Sequence, residues 1–191
     1  MTGLWVEQYR PRTLADYIGE SEFKEKLKEI LESGEVPNLL LHSTTPGTGK
    51  TTAAKLIASI TGYDMMYINA SDERNLDTIR NKVKQFAQTA GNSVLKLMVL
   101  DEADFLTPEA QAALRNIIET YHATCRFIIT CNYVDKIILP LLSRCQVFEL
   151  RVPSKNLAAM RLKFILDSEN VTYSVPDLKK IVETGYPDMR K

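Results

Sequence analysis

Three observations predict an open, mostly parallel α/β sheet. Five short apolar runs recur ahead of Pro153. Helical periodicities fill the gaps between most of them, and a glycine-rich turn follows directly on the first run. Strands that alternate with helices in this way pair in parallel, because each crossover helix returns the chain to the same end of the sheet.

Taken in order, "SEFKEKLKEILESG" places Phe23, Leu27, Ile30 and Leu31 at helical spacing and stops at Gly34. "NLLLHS" is a short continuous apolar run, which suits a strand covered on both faces. After the glycine turn a helix is expected with Ala53, Ala54, Ile57 and Ile60 inward, closed by Gly62. "MMYIN" is a second strand. Leu76, Ile79, Val83, Phe86 and Ala90 step by three and four, which marks an amphipathic helix before the third strand, "LKLMVL".

Thr107 and Pro108 read as an N-cap and an N1 proline opening a helix through Ala110, Leu114, Ile117 and Tyr121. "RFIIT" and "QVFEL" complete the strands. After Pro153 the pattern changes to helices alone, "NLAAMRLKFILDSE" and "VPDLKKIVETG". The last residues, "YPDMRK", read as the first turn of another helix. Two helices and a fragment bury little surface alone, so the chain reads as a piece of a longer protein.

Composition sets bounds. The 191 residues are 45% hydrophobic and 25% charged, which is globular rather than disordered. No apolar run is long enough to cross a bilayer, and "MTGLWVEQYRPRT" does not read as a signal peptide. Three cysteines without metal-ligand spacing, and two histidines, predict a reduced, zinc-free protein of the cytosol. His42 reads as a packed strand residue and His122 as a surface residue. Lys+Arg and Asp+Glu balance at 24 each, so any case for nucleic acid rests on local patches.

The chemistry concentrates in two motifs. Residues 44–51 fit the phosphate-loop pattern G-x-x-x-x-G-K-[ST] except that Thr44 replaces the first glycine. In the run Pro46, Gly47, Thr48, Gly49, Lys50, Thr51 and Thr52, the glycines let successive N–H groups turn toward phosphate oxygens. Lys50 can reach the β- and γ-phosphates, and the Thr51 hydroxyl can ligate Mg²⁺. Downstream, "LMVLDEAD" delivers Asp101 and Glu102 to the end of a strand, where ligands bind in open α/β sheets. Asp101 suits the outer shell of the magnesium ion, and Glu102 is placed to activate a water against the γ-phosphate. The pair predicts an ATP site competent for hydrolysis. "DEAD" alone is weak evidence for a helicase, and no further helicase motif accompanies it.

Seven segments in order, "WVEQYRPRTLADYIG", "PGTGKTT", "NASDERNLDTIRNKVKQFA", "VLDEADFLTPEAQAALR", "IITCN", "LLSRCQVFEL" and "GYPDMRK", resemble sliding-clamp loaders. The resemblance is to the small subunits of replication factor C and the related ATPase subunit of T4-like phages, and it spans essentially the whole chain. It implies an AAA+ P-loop NTPase, with a parallel five-stranded sheet over residues 1–152 and an incomplete small helical lid over 153–191. The family's C-terminal collar, which holds a ring of five, is absent from this sequence.

The same resemblance assigns roles. It sets Tyr9, Arg10 and Pro11 against the adenine, with Ile18 and Gly19 nearby. Asn132 takes the place of sensor 1 on the γ-phosphate, and Arg190 that of sensor 2. Arg144 is the arginine finger offered to a neighbouring subunit. Asn75 departs from the family, standing where glycine is usual.

It also implies partners: other loader subunits in a pentamer, a sliding clamp and primer–template DNA, with no membrane. Opposite the apolar stripe, Arg80, Lys84 and Gln88 recur every four residues, a spacing that suits a phosphate backbone. A solvated helix face is the plain alternative. Arg80 is the first DNA candidate, Lys84 the second and Arg115 a weaker third, while Phe86 is a candidate for the clamp face.

The expected function is to open and place a clamp at the expense of ATP. The expected location is the cytoplasm of a bacterium, archaeon or phage-infected host, or a nucleus. The rivals are another DNA-remodelling ATPase and a nucleotide-bound scaffold without turnover.

Overall fold

In the computed structural model, which describes residues 4–72, 76–89 and 95–188, five strands form one sheet. They are β1 (Leu39–His42), β2 (Asp64–Asn69), β3 (Lys96–Asp101), β4 (Cys125–Cys131) and β5 (Gln146–Glu149). Their order is β2-β3-β4-β1-β5, and every pairing is parallel. The helices are α1 (Trp5–Gln8), α2 (Ser21–Ser33), α3 (Lys50–Thr61), α4 (Leu76–Gln88), α5 (Pro108–Thr120), α6 (Leu139–Leu142), α7 (Lys155–Ser168) and α8 (Val175–Gly185). All five expected strands and the six long helices are present; α1 (Trp5–Gln8), α6 (Leu139–Leu142) and two 3₁₀ turns, Ala103–Phe105 and Val134–Lys136, went unforeseen.

Side chains alternate across a strand, so the sheet carries two cores. On one face Leu40, Met98, Leu100, Phe127 and Ile129 pack with α4 and α5. On the other, Leu39, Leu41, Leu97, Val99 and Ile128 pack with α2 and α3. Every residue of β3 is buried, as a strand covered on both faces requires. The expectation fails at Ile60, which is exposed although Ala53, Ala54 and Ile57 are buried. It sits in the last turn of α3, beside the left-handed C-cap at Gly62, where the cover of the helix ends.

Polar side chains tie the layers together. Buried Gln111 of α5 donates to the carbonyls of Leu106 (3.2 Å) and Lys136 (3.0 Å) and accepts from the Ile138 amide (2.8 Å). Lys96 opens β3 and sends its ammonium to the Phe86 carbonyl (2.6 Å) and the Thr89 carbonyl, closing the C-terminal end of α4. Thr107 caps α5 with its side chain on the Ala110 amide, as its sequence foretells. At the chain's end, Ser174 and Asp177 form a capping box for α8. Burial there is slight: α7 buries Ala158 and Leu166, and α8 buries none of its residues.

The sheet order puts β1 in the interior, between β4 and β5. The C-terminal ends of β1, β3 and β4 therefore open on one edge. The glycine turn, the acid pair and Asn132 all meet there.

Candidate active site

The turn after β1 is shaped by two left-handed glycines, Gly47 at φ 73° and Gly49 at φ 90°. A side chain at either would be strained. Gly47 has a second constraint, since a Cβ there would collide with the Asp188 carboxylate beyond α8. Gly49 is the N-cap of α3 and supplies no side-chain cap, so the amides of the first turn are left for a ligand. Thr48 is buried and hydrogen-bonds the Thr45 carbonyl at 3.4 Å, and the Lys50 ammonium donates to the Ser43 carbonyl at 3.3 Å.

β3 ends on Asp101, a buried carboxylate held by three hydroxyls. Thr51 of α3 donates to Oδ2 at 2.8 Å, Tyr67 of β2 donates to the same oxygen at 2.6 Å, and Thr130 of β4 donates to Oδ1. Thr130 Oγ1 also accepts the Glu102 amide at 3.1 Å. Glu102 itself lies at φ 57°, a left-handed backbone that L residues avoid. Strain of this kind costs on the order of 1–3 kcal/mol and persists where its surroundings hold it, commonly at functional sites. Here the Thr130 hydroxyl is part of what holds it.

These groups line one cleft of about 680 Å³. It contains Lys50, Thr51, Asp101, Glu102 and Asn132, with Pro46, Gly47, Thr48, Gly49 and Thr52 along the loop side. Tyr9, Arg10, Pro11 and Ile18 form the far wall. Gly19 does not line the cleft; a Cβ there would collide with the ring of Tyr17, which does line it. Arg190 and Asn75 lie outside the described residues.

The N-terminal wall is bonded to both sides of the cleft. Arg10 donates to Thr52 Oγ1 at 3.0 Å, and the Tyr9 hydroxyl donates to Glu169, past the end of α7, at 2.8 Å. Arg161 of α7 donates to the Tyr9 carbonyl at 2.6 Å. That hydrogen bond to Glu169 raises the ionisation of Tyr9 above the ordinary phenol value.

Arg144 stands apart from this cleft, after α6. Its guanidinium pairs with Glu119 of α5 and donates to the Pro140 carbonyl at 2.6 Å. Arg80 is exposed on α4, with Lys84 half-buried one turn on, while Arg115 on α5 bonds the Asn116 amide oxygen at 2.7 Å. Gln88, the third residue of that row, is engaged with the Tyr121 hydroxyl at 2.9 Å.

Sequence reasoning missed Tyr67, Thr130, Lys55 and Arg161, all of which line the cleft. The alternation in "MMYIN" carried a signal for Tyr67, two residues before the strand's end. Thr130 needed the register, in which Leu100 faces Ile129 and so brings Asp101 level with Thr130. Burial pushes the Cys131 thiol up to about 12, so it is no nucleophile at neutral pH although it borders Asn132.

Such an edge is what a phosphate-loop nucleotide-binding protein presents to its ligand. Residues 40–152 match the family described as "ATPase family associated with various cellular activities (AAA)", and the chain belongs to that family. A member of an ATPase family takes ATP as its nucleotide.

The chain is 44% identical to the replication factor C small subunit of Archaeoglobus fulgidus, over 98% of this chain and 61% of that protein. It is likewise 44% identical to replication factor C small subunit 1 of Pyrobaculum islandicum, over 98% of this chain and 59% of the relative. It thus spans about three-fifths of these relatives. Among solved structures, the RuvB Holliday junction branch migration motor of Thermotoga maritima superposes with a TM-score of 0.79 at 20% identity. That match covers 95% of this chain and 62% of the other, and at this identity it speaks for the fold alone.

Proposed function

We propose that the protein is an ATPase subunit of a sliding-clamp loader, acting in the cytoplasm. In this reading ATP binding closes a ring of subunits around clamp and primed DNA, and hydrolysis releases the loaded clamp. One observation carries it. A chain 44% identical to replication factor C small subunits gathers Lys50, Thr51, Asp101, Glu102 and Asn132 on one cleft.

Each residue has a task. The loop amides and the first turn of α3 cradle the phosphates, and Lys50 neutralises the β- and γ-phosphates. Tyr9, Arg10, Pro11 and Ile18 enclose the base. A hydroxyl and a carboxylate 2.8 Å apart are hard oxygen donors of the kind Mg²⁺ takes beside phosphates, so Thr51 and Asp101 would hold it. Held there, such an ion would supply positive charge against the charge that develops on the phosphates. Glu102 accepts the proton of the attacking water, and Asn132 orients that water against the γ-phosphate.

Arg144 acts on the nucleotide of the next subunit, which makes turnover depend on assembly and leaves the isolated subunit slow. Arg80, Lys84 and Arg115 are the DNA contacts. Arg190 completes the site from a lid spanning 153–191, the counterpart of an ATPase domain over 1–152.

The test is steady-state ATP hydrolysis by the assembled protein with no DNA, with blunt duplex and with a primer–template junction. Stimulation by the junction above blunt duplex supports a loader. Turnover that ignores DNA rejects it in favour of a nucleotide-bound scaffold.

A further inference from the structure

Asp101 is a buried carboxylate whose two oxygens are unequally served. Oδ1 accepts from Thr130, while Oδ2 accepts from both Thr51 and Tyr67. A metal ligand and its partners act together, because groups outside the coordination shell orient the ligand and set its charge density. Thr51 is one of the residues assigned to the ion; its hydroxyl oxygen would face the ion while its proton is given to Asp101. Tyr67 has no such second task. It is the donor on Oδ2 that serves the carboxylate alone, at 2.6 Å.

The placement of Tyr67 suits this duty. It lies on β2 opposite Val99 of β3, two residues before the Asn69–Asp101 pair, so the sheet register fixes its distance to the carboxylate. The Lys55 ammonium of α3 lies 5.2 Å from the centre of its ring, which holds the ring from the helix side. Its phenolic hydroxyl reaches Oδ2 of Asp101 at 2.6 Å, where a carboxylate oxygen accepts and the phenol donates.

We propose that Tyr67 is a positioning residue for the magnesium ion of the nucleotide: its hydroxyl holds Asp101 in the metal-binding orientation and thereby sets affinity for the metal, not for the nucleotide. This rests on the assignment of Asp101 and Thr51 to that ion. A partner that only supported the fold would weaken metal-free and metal-bound nucleotide alike. A residue that touched the nucleotide would weaken both as well. Tyr67 acts on one alone.

The experiment follows binding of a fluorescent ATP analogue to the protein, in EDTA and across a Mg²⁺ titration, for wild type, Tyr67→Phe and Asp101→Asn. Tyr67→Phe removes one oxygen and leaves the ring. It is expected to raise the Mg²⁺ half-saturation roughly tenfold, the lower end of what losing such a partner does. Affinity in EDTA and the thermal unfolding midpoint stay at the wild-type values. An unchanged half-saturation in Tyr67→Phe, with a clear rise in Asp101→Asn, overturns the role of Tyr67 and leaves the metal assignment standing. Equal weakening with and without Mg²⁺ also overturns it, as a general structural effect. Should Asp101→Asn leave the Mg²⁺ dependence intact, the metal assignment fails and the proposal with it.

Discussion

Thr130 holds two things at once, the Asp101 carboxylate and the amide of left-handed Glu102. Replacing it with valine keeps the shape but leaves a buried carboxylate oxygen and an amide short of a partner. Thr130→Val is therefore expected to destabilise the fold by about 1–3 kcal/mol in urea unfolding, the usual cost of orphaning buried polar groups. Release of Glu102 from its strained backbone also slows hydrolysis, with ATP binding little changed. Neither effect follows from the residue type. A threonine inside "FIITCN" looks like any β-branched strand residue until the register sets it level with Asp101. By contrast, Lys50, Thr51, Asp101 and Glu102 were legible because phosphate chemistry dictates both their types and their spacing. Arg161 belongs to the unreadable kind, since its bond to the Tyr9 carbonyl joins distant parts of the chain.

Elements are legible where one period dominates. β3 is buried throughout and reads as a continuous apolar run, and α5 is announced by its cap and its proline. The short pieces α1 and α6 and the two 3₁₀ turns carry no period, so only tertiary contacts specify them. Gln111 joins α5 to Leu106, the residue that follows the first 3₁₀ turn, and to Lys136, the last residue of the second. Gln111→Leu retains the volume and removes three hydrogen bonds. The expected loss is roughly 2–4 kcal/mol, since two carbonyls and one amide lose their partner. Urea unfolding followed by circular dichroism measures it, and a loss within experimental error would show that water replaces the side chain. Ile60 marks the limit of period reading, because a spacing rule does not know where the neighbouring layer ends.

At the scale of the molecule, the fold class followed from strand–helix alternation, but the order β2-β3-β4-β1-β5 did not, because nothing local states which strands are neighbours. That order brings the glycine turn beside the acid pair and so makes the site. It also buries Cys125 and Cys131 and half-buries Cys145. Burial pushes Cys125 and Cys145 up to about 11 and Cys131 up to about 12, from an ordinary value of 9.0. The folded state thus holds these protons more tightly than the unfolded chain. Their contribution is complete below the unfolded value and is lost as pH rises through the folded values. Urea midpoints should accordingly stay level up to about pH 9 and fall from there toward pH 11–12. A Cys125→Ala, Cys131→Ala, Cys145→Ala triple variant should lose part of that slope.

In the proposed function the site is completed by two subunits, with Glu102 from one and Arg144 from the next. Arg144 lies off its own chain's cleft and is paired with Glu119, which is compatible with a task performed elsewhere. An arginine of this kind is worth on the order of 10³–10⁵ in rate when it reaches a neighbour's nucleotide. The most direct measurement mixes two inactive proteins, Glu102→Gln and Arg144→Ala, and follows steady-state ATP hydrolysis of the assembled mixture on primer–template DNA. Recovered turnover is the expected result, because some interfaces then pair an intact Glu102 with an intact Arg144. A mixture no more active than the sum of its parts would contradict a shared site.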